Sequence, residues 1–139
     1  MDIDITLEWL KKLAETTITI SALLSGFSIA IIANIIVSNL NTRISKSILI
    51  ASTLSASFHL ITLFAMTNIL VKGTPGGPTE MNSDDFLVTL ILGSVTFYLG
   101  IICLTLIISL SGWAKSKKMG IFTTIIGIIT LILITISSV

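Results

Sequence analysis

Thr16–Val37 reads TTITISALLSGFSIAIIANIIV, 22 residues without one Asp, Glu, Lys or Arg. At about 1.5 Å per residue, a helix of that length crosses a hydrocarbon core of roughly 30 Å. Three further runs have the same character, near Ser47–Val71, Phe86–Ser111 and Met119–Ser138. Every charged side chain falls outside them, in Asp2–Glu15, Arg43–Lys46, Lys72–Asp85 and Lys115–Lys118. In lipid the backbone amides of each run must be satisfied within the segment, so the runs are helices despite their abundant Ile and Thr. They are too long and continuous for the alternating strands of an outer-membrane barrel. The expected fold is all-α: residues 1–139 form a single membrane domain with four transmembrane helices.

Composition agrees. The chain has 139 residues, 53% apolar and 11% charged, against about 25% charged in a typical soluble domain. Its mean hydropathy is +1.07. A soluble protein this small could not cover so much Ile and Leu. The start is not a secretory signal, which opens on basic residues; Asp2, Asp4 and Glu8 stand there instead. Ile3, Leu7, Leu10 and Ala14 follow at helical spacing. Residues 3–15 therefore read as an amphipathic turn feeding directly into the first span. Trp113, at the end of the third span, reads as an interfacial aromatic.

Loop one, Ser38–Lys46, and loop three, Gly112–Lys118, are short, which makes neighbouring helices antiparallel. Loop two carries Gly73, Pro75, Gly76, Gly77 and Pro78 and has no room for a domain. Ser83 is placed to cap the third helix, with Asp84 and Asp85 at its positive end. Loops one and three hold Arg43, Lys46, Lys115, Lys117 and Lys118, against Lys11, Lys12 and Lys72 on the other side. That bias leans towards both termini lying outside the cytosol.

Catalytic and metal chemistry find little to work with. There is one His, His59, one Cys, Cys103, and no carboxylate inside a span. A metal site needs several convergent ligands, and proton-coupled carriers use intramembrane Asp, Glu or His. No enzyme activity, cofactor, metal or nucleic-acid partner is expected. Cys103 reads as buried apolar filler. A pore, a structural or regulatory subunit of a membrane complex, or a small dual-orientation carrier or channel remains.

Two spans carry polar patterns. In the first, Ala22, Gly26, Ala30 and Asn34 recur every fourth residue, a spacing that lets helix backbones approach closely. Ser21, Ser25 and Ser28 make a second small face, and Thr19, Leu23, Phe27 and Ile31 a third. A helix small or polar on several faces belongs at the centre of an assembly, or packed tightly in one four-helix bundle. In the second span Ser52, Ser55, His59 and Thr62 share a face. An intramembrane His marks a functional position by default, or a neutral imidazole satisfied by a neighbouring hydroxyl. Gly93, Ser94 and Gly100 in the third span, and Gly120 and Gly127 in the fourth, are points of close approach. The fourth span, nearly uniform Ile, Leu and Thr, reads as a peripheral, lipid-facing helix.

SALLSGF, Ser21–Phe27, resembles the start of the first, pore-lining helix of the Orai calcium channels. LIAS, Leu49–Ser52, and HLITLFAMTNIL, His59–Leu70, resemble the second Orai helix around its histidine. The likeness is specific over these two spans, weak over the third and undetected in the fourth. It implies a minimal, tail-less, prokaryotic-type member: a homo-oligomer with the first helices ringed around a pore that passes inorganic cations. The ring is a hexamer by resemblance, with other sizes left open. Asn34 falls at the selectivity ring, Ala30, Phe27 and Leu23 at the hydrophobic section, and Thr19, Glu15 and Lys11 at the inner stretch. Ala22 and Gly26 serve helix packing. His59 matches a histidine whose hydrogen bonds to the pore helix take part in gating, with Ser21 and Ser25 as the expected partners.

Departures from the family matter. Ca²⁺ is a hard cation that wants several anionic oxygens, and Asn34 offers neutral carboxamide oxygens. High calcium selectivity is therefore not expected. Gly100 stands near a family glutamate of the third helix. The chain ends at Val139, without the cytosolic helix that receives the activator STIM, so no STIM-type partner is expected. The resemblance puts both termini in the cytosol, against the Lys/Arg bias, and the protein in the cell membrane.

Overall fold

The computed structural model describes residues 3–38, 41–74 and 83–137. They form four helices: α1 Ile3–Val37, α2 Arg43–Lys72, α3 Ser83–Lys115 and α4 Lys117–Ser137. Each is long and apolar enough to cross a membrane, so the chain is an integral, multi-pass membrane protein by helix length and composition. The amphipathic turn is continuous with the first span. At 35 residues, α1 is about 52 Å long, well beyond a hydrocarbon core of about 30 Å.

The loops are shorter than the charged stretches suggest. Hydrogen bonding continues past the apolar run into the charged flanks, because helix geometry does not stop where lipid does. Loop one shrinks to 38–42. Thr42 holds extended φ/ψ of −85° and 157°, and its hydroxyl accepts the Ser45 N–H and so starts α2. Loop three, expected over Gly112–Lys118, reduces to Ser116 between α3 and α4. Gly112 lies inside α3, where any Cβ would overlap Thr123 of α4. Loop two from Pro75 onwards, and the side chains of Ser83, Asp84 and Asp85, lie outside the described residues.

Each helix packs along its neighbour in sequence: α1 on α2, α2 on α3, α3 on α4. Among the described residues α1 and α4 share no extended contact. The helices therefore form a row with α1 and α4 at its edges, not a closed bundle. The buried residues of α4 are Gly120 and Gly127, in keeping with a peripheral helix. Gly120 accommodates the ring of Trp113, whose Nε1 donates to the Thr124 hydroxyl over 3.1 Å.

Most hydroxyls in the spans bond to their own helix. Thr53 donates to the Leu49 carbonyl, Thr67 to Leu63 and Thr135 to Leu131, the back-bonding that lets Thr sit in a membrane helix. Two apolar clusters hold the α1 side of the row. Ala14 meets Met66 and Ile69, with Ile18, Leu70 and Leu90 around them. Towards the other end of the helices, Ile31 and Ile35 meet Ile48, Ala51 and Ile107. Cys103 is buried and free.

Candidate functional site

Between those clusters the α1–α2 interface turns polar. Ser21, Ser25 and Ser28 of α1, and Ser52, Ser55, His59 and Thr62 of α2, are all buried. Both sets follow helical spacing, so each makes one stripe along its helix. Opposing the two stripes gives a layer of hydroxyls with one imidazole between the two apolar clusters.

The bonds through the layer run in a defined order. The Ser28 hydroxyl sits 2.9 Å from its own Leu24 carbonyl and 3.0 Å from the Ser55 hydroxyl, and shares its proton between them. The Ser55 hydroxyl donates onward to the Gly100 carbonyl of α3, at 3.3 Å. His59 Nδ1 lies 2.8 Å from the Ser55 carbonyl. A carbonyl only accepts, so Nδ1 carries the proton. One turn along, the Thr62 and Thr96 hydroxyls meet at 2.9 Å, and both reach the Gly93 carbonyl.

Gly100 explains where the imidazole fits. A Cβ there would overlap the ring of His59. Phe97, one turn earlier, meets the imidazole edge-on with centroids 6.1 Å apart. Glycine at position 100 makes room for the histidine. Gly93 does the same for Met66.

The expected partners of His59 are not its partners. Ser21 and Ser25 are buried but bond to nothing in the protein, and neither does His59 Nε2. The path from His59 to α1 runs instead through Ser55 to Ser28. The sequence placed Ser55 on the His59 face and Ser28 on the small face of α1, yet singled out neither. Thr96 was missed altogether, because a Thr in an apolar helix carries no signal until its neighbour across the interface is known.

The other faces of α1 are uncovered. Leu23 is 70% and Phe27 65% exposed, and Glu15, Thr19, Ala22, Gly26, Ala30 and Asn34 are exposed too. A Cβ on Gly26 would meet nothing within 4 Å. Ala22 and Gly26 are thus left uncovered by the rest of the chain. Ile31, grouped by sequence with Leu23 and Phe27, turns instead into the apolar cluster with Ile48. Asn34 accepts the Ser38 N–H at its backbone carbonyl. Lys11 leaves the stripe: it is half-buried and its stem lies beside Gly73, at the carbonyl end of α2, where a cation is favourably placed. The cause is helical drift, since the twelve positions between Lys11 and Leu23 turn a helix about 120° beyond whole turns.

Among the described residues no cluster of His, Cys, Asp and Glu could hold a metal ion. No family model matches the sequence, and no curated protein or solved structure is significantly similar to it.

Proposed function

We propose that the chain is the subunit of a ring-forming, Orai-like cation channel in the cell membrane, with its pore lined by the uncovered face of α1. The observation that carries this reading is that stripe: Thr19, Leu23, Phe27, Ala30 and Asn34 lie on one side of α1, turned away from α2 and left bare by the rest of the chain. A membrane helix with small and polar residues on a bare face is suited to contact with further copies or with water. The Ala22–Gly26 stripe beside it suits close approach of the neighbouring α1.

In such a ring, Asn34 forms the narrow outer constriction. Its carboxamide oxygens favour cations without the charge that concentrates and strips Ca²⁺, so monovalent cations pass, or discrimination is weak. Leu23, Phe27 and Ala30 form a hydrophobic section that conducts only when widened or hydrated, since such constrictions gate by dewetting. The Ser28–Ser55–His59 layer ties the back of the pore helix to α2 and α3. The termini are cytosolic and the ring is a hexamer, both by resemblance.

Reconstitution tests the reading. Purified protein in liposomes carries a cation flux, and Asn34→Glu changes its ion preference. A preparation that moves no cation, and that neither Phe27→Ser nor His59→Ala opens, is not a channel. A monomer, or a chain stable only with a different partner protein, points to a regulatory subunit instead.

A further inference from the structure

We propose that the α1–α2 interface binds ordered water molecules on either side of the Ser28–Ser55 pair, and that these complete the hydrogen bonding of Ser21, Ser25 and His59 on one side and of Ser52 on the other. Four side-chain atoms carry the inference: the hydroxyls of Ser21, Ser25 and Ser52, and Nε2 of His59. All four residues are at most 3% exposed, and none of these atoms has a partner in the protein.

Packing fixes their levels along the interface. Ser28 faces Ser55 and Ala14 packs on Ile69, which fixes the antiparallel register of the two helices. That register sets Ser25 level with His59 and Ser21 level with Thr62, while Ser52 lies beyond the Ser28–Ser55 pair, about 10 Å along the helix from His59. Hydroxyls could turn to their own helix carbonyls, as Ser28 does towards Leu24. Nε2 has no such escape. With the proton on Nδ1, held by the Ser55 carbonyl, Nε2 of the neutral ring is a lone pair that needs a donor. Carbonyls cannot supply one. Water donates twice and accepts as well, and buried waters typically make about three hydrogen bonds. The side chains around the layer are small, mostly serine.

The site is closed along the helix axis. The Ala14–Met66–Ile69 cluster bounds it on one side and the Ile48–Ala51–Ile107 cluster on the other. Water here is structural and held, not a wire across the membrane. Its role is to seat α1 on α2 through exchangeable bonds instead of interlocked apolar side chains. The inference stands whether or not α1 lines a pore.

Water-edited solid-state NMR on the isotope-labelled full chain in phosphatidylcholine vesicles tests it. The expected result is rapid polarisation transfer from water to Ser52 and His59, on the side of the layer away from the bare face of α1. Met66 and Ile48 receive it slowly, and the Nε2 resonance is that of a hydrogen-bonded acceptor. A free-lone-pair Nε2 resonance overturns the proposal. So does a bonded Nε2 without water transfer, which assigns the donor to a serine directly. Thermal unfolding gives a second readout, of opposite sign in the two cases. If Ser52 bonds to water, Ser52→Ala lowers the midpoint. A raised midpoint shows that a dry, unsatisfied hydroxyl was removed, and also overturns it.

Discussion

Ser28 on α1 and Ser55 on α2 meet hydroxyl to hydroxyl at 3.0 Å, and Ser55 passes the connection to Gly100 on α3. Three helices are thus joined through one serine. Interhelical hydrogen bonds in membranes contribute about 0.6 kcal/mol on average and up to about 1.7. A double-mutant cycle of Ser28→Ala and Ser55→Ala in detergent unfolding should show coupling of that size. Ser55→Ala alone should cost more than Ser28→Ala, since it also strips the bond to Gly100. Equal costs with no coupling would show that the two hydroxyls do not communicate.

Gly100→Ala puts a methyl group into the imidazole of His59. Overpacking of this kind typically costs about 1–3 kcal/mol. The expected result is a lower unfolding midpoint for Gly100→Ala, partly restored when His59→Ala is added. If the second substitution makes matters worse by its full separate cost, the two residues are not in contact.

Thr62→Val keeps the shape of the side chain and removes its bond to Thr96. The Thr96 hydroxyl retains the Leu92 and Gly93 carbonyls, so no orphan is created. The loss should stay below about 1.7 kcal/mol, the upper range for such bonds in membranes. A loss of several times that figure would mean that Thr62 carries the α2–α3 interface itself.

Exposure on α1 makes a prediction that separates pore from lipid. Ile29 and Ile36 are exposed, but about 200° around the helix from Phe27 and Asn34 respectively. With Cys103 replaced by Ser, single cysteines at positions 23, 27, 30 and 34 should react with a charged, water-soluble thiol reagent if α1 lines the proposed pore. Cysteines at positions 29 and 36 should not. Uniform protection of all six sites removes the pore from this face.

Gly120→Val should press against Trp113 and loosen α4 from α3. Since α1 and α4 share no extended contact among the described residues, the flux of the proposed channel should survive while the unfolding midpoint falls. Loss of flux with an intact assembly would assign α4 a part in conduction.

The sequence alone determined the membrane, the four spans and their helical state. Charge placement and span length are local properties, and lipid leaves a long apolar segment no alternative to satisfying its own amides. It also named the polar residues of the first two spans and the points of close approach at Gly93, Gly100, Gly120 and Gly127. It could not say which face of α1 its own chain would cover. Three faces were distinguished by spacing, two of them small or polar, and only the packing of α2 against α1 selects the serine face and leaves Leu23, Phe27 and Asn34 bare. The same register decided how the His59 turn of α2 connects to α1. Ser21 and Ser25 were expected there, but the proton on Nδ1 is taken by the Ser55 carbonyl one turn back, and α1 is reached through Ser28. Tertiary structure decided these points because a hydrogen bond between helices depends on an axial offset of a few ångströms, which loop length and packing set and which spacing within one helix does not encode.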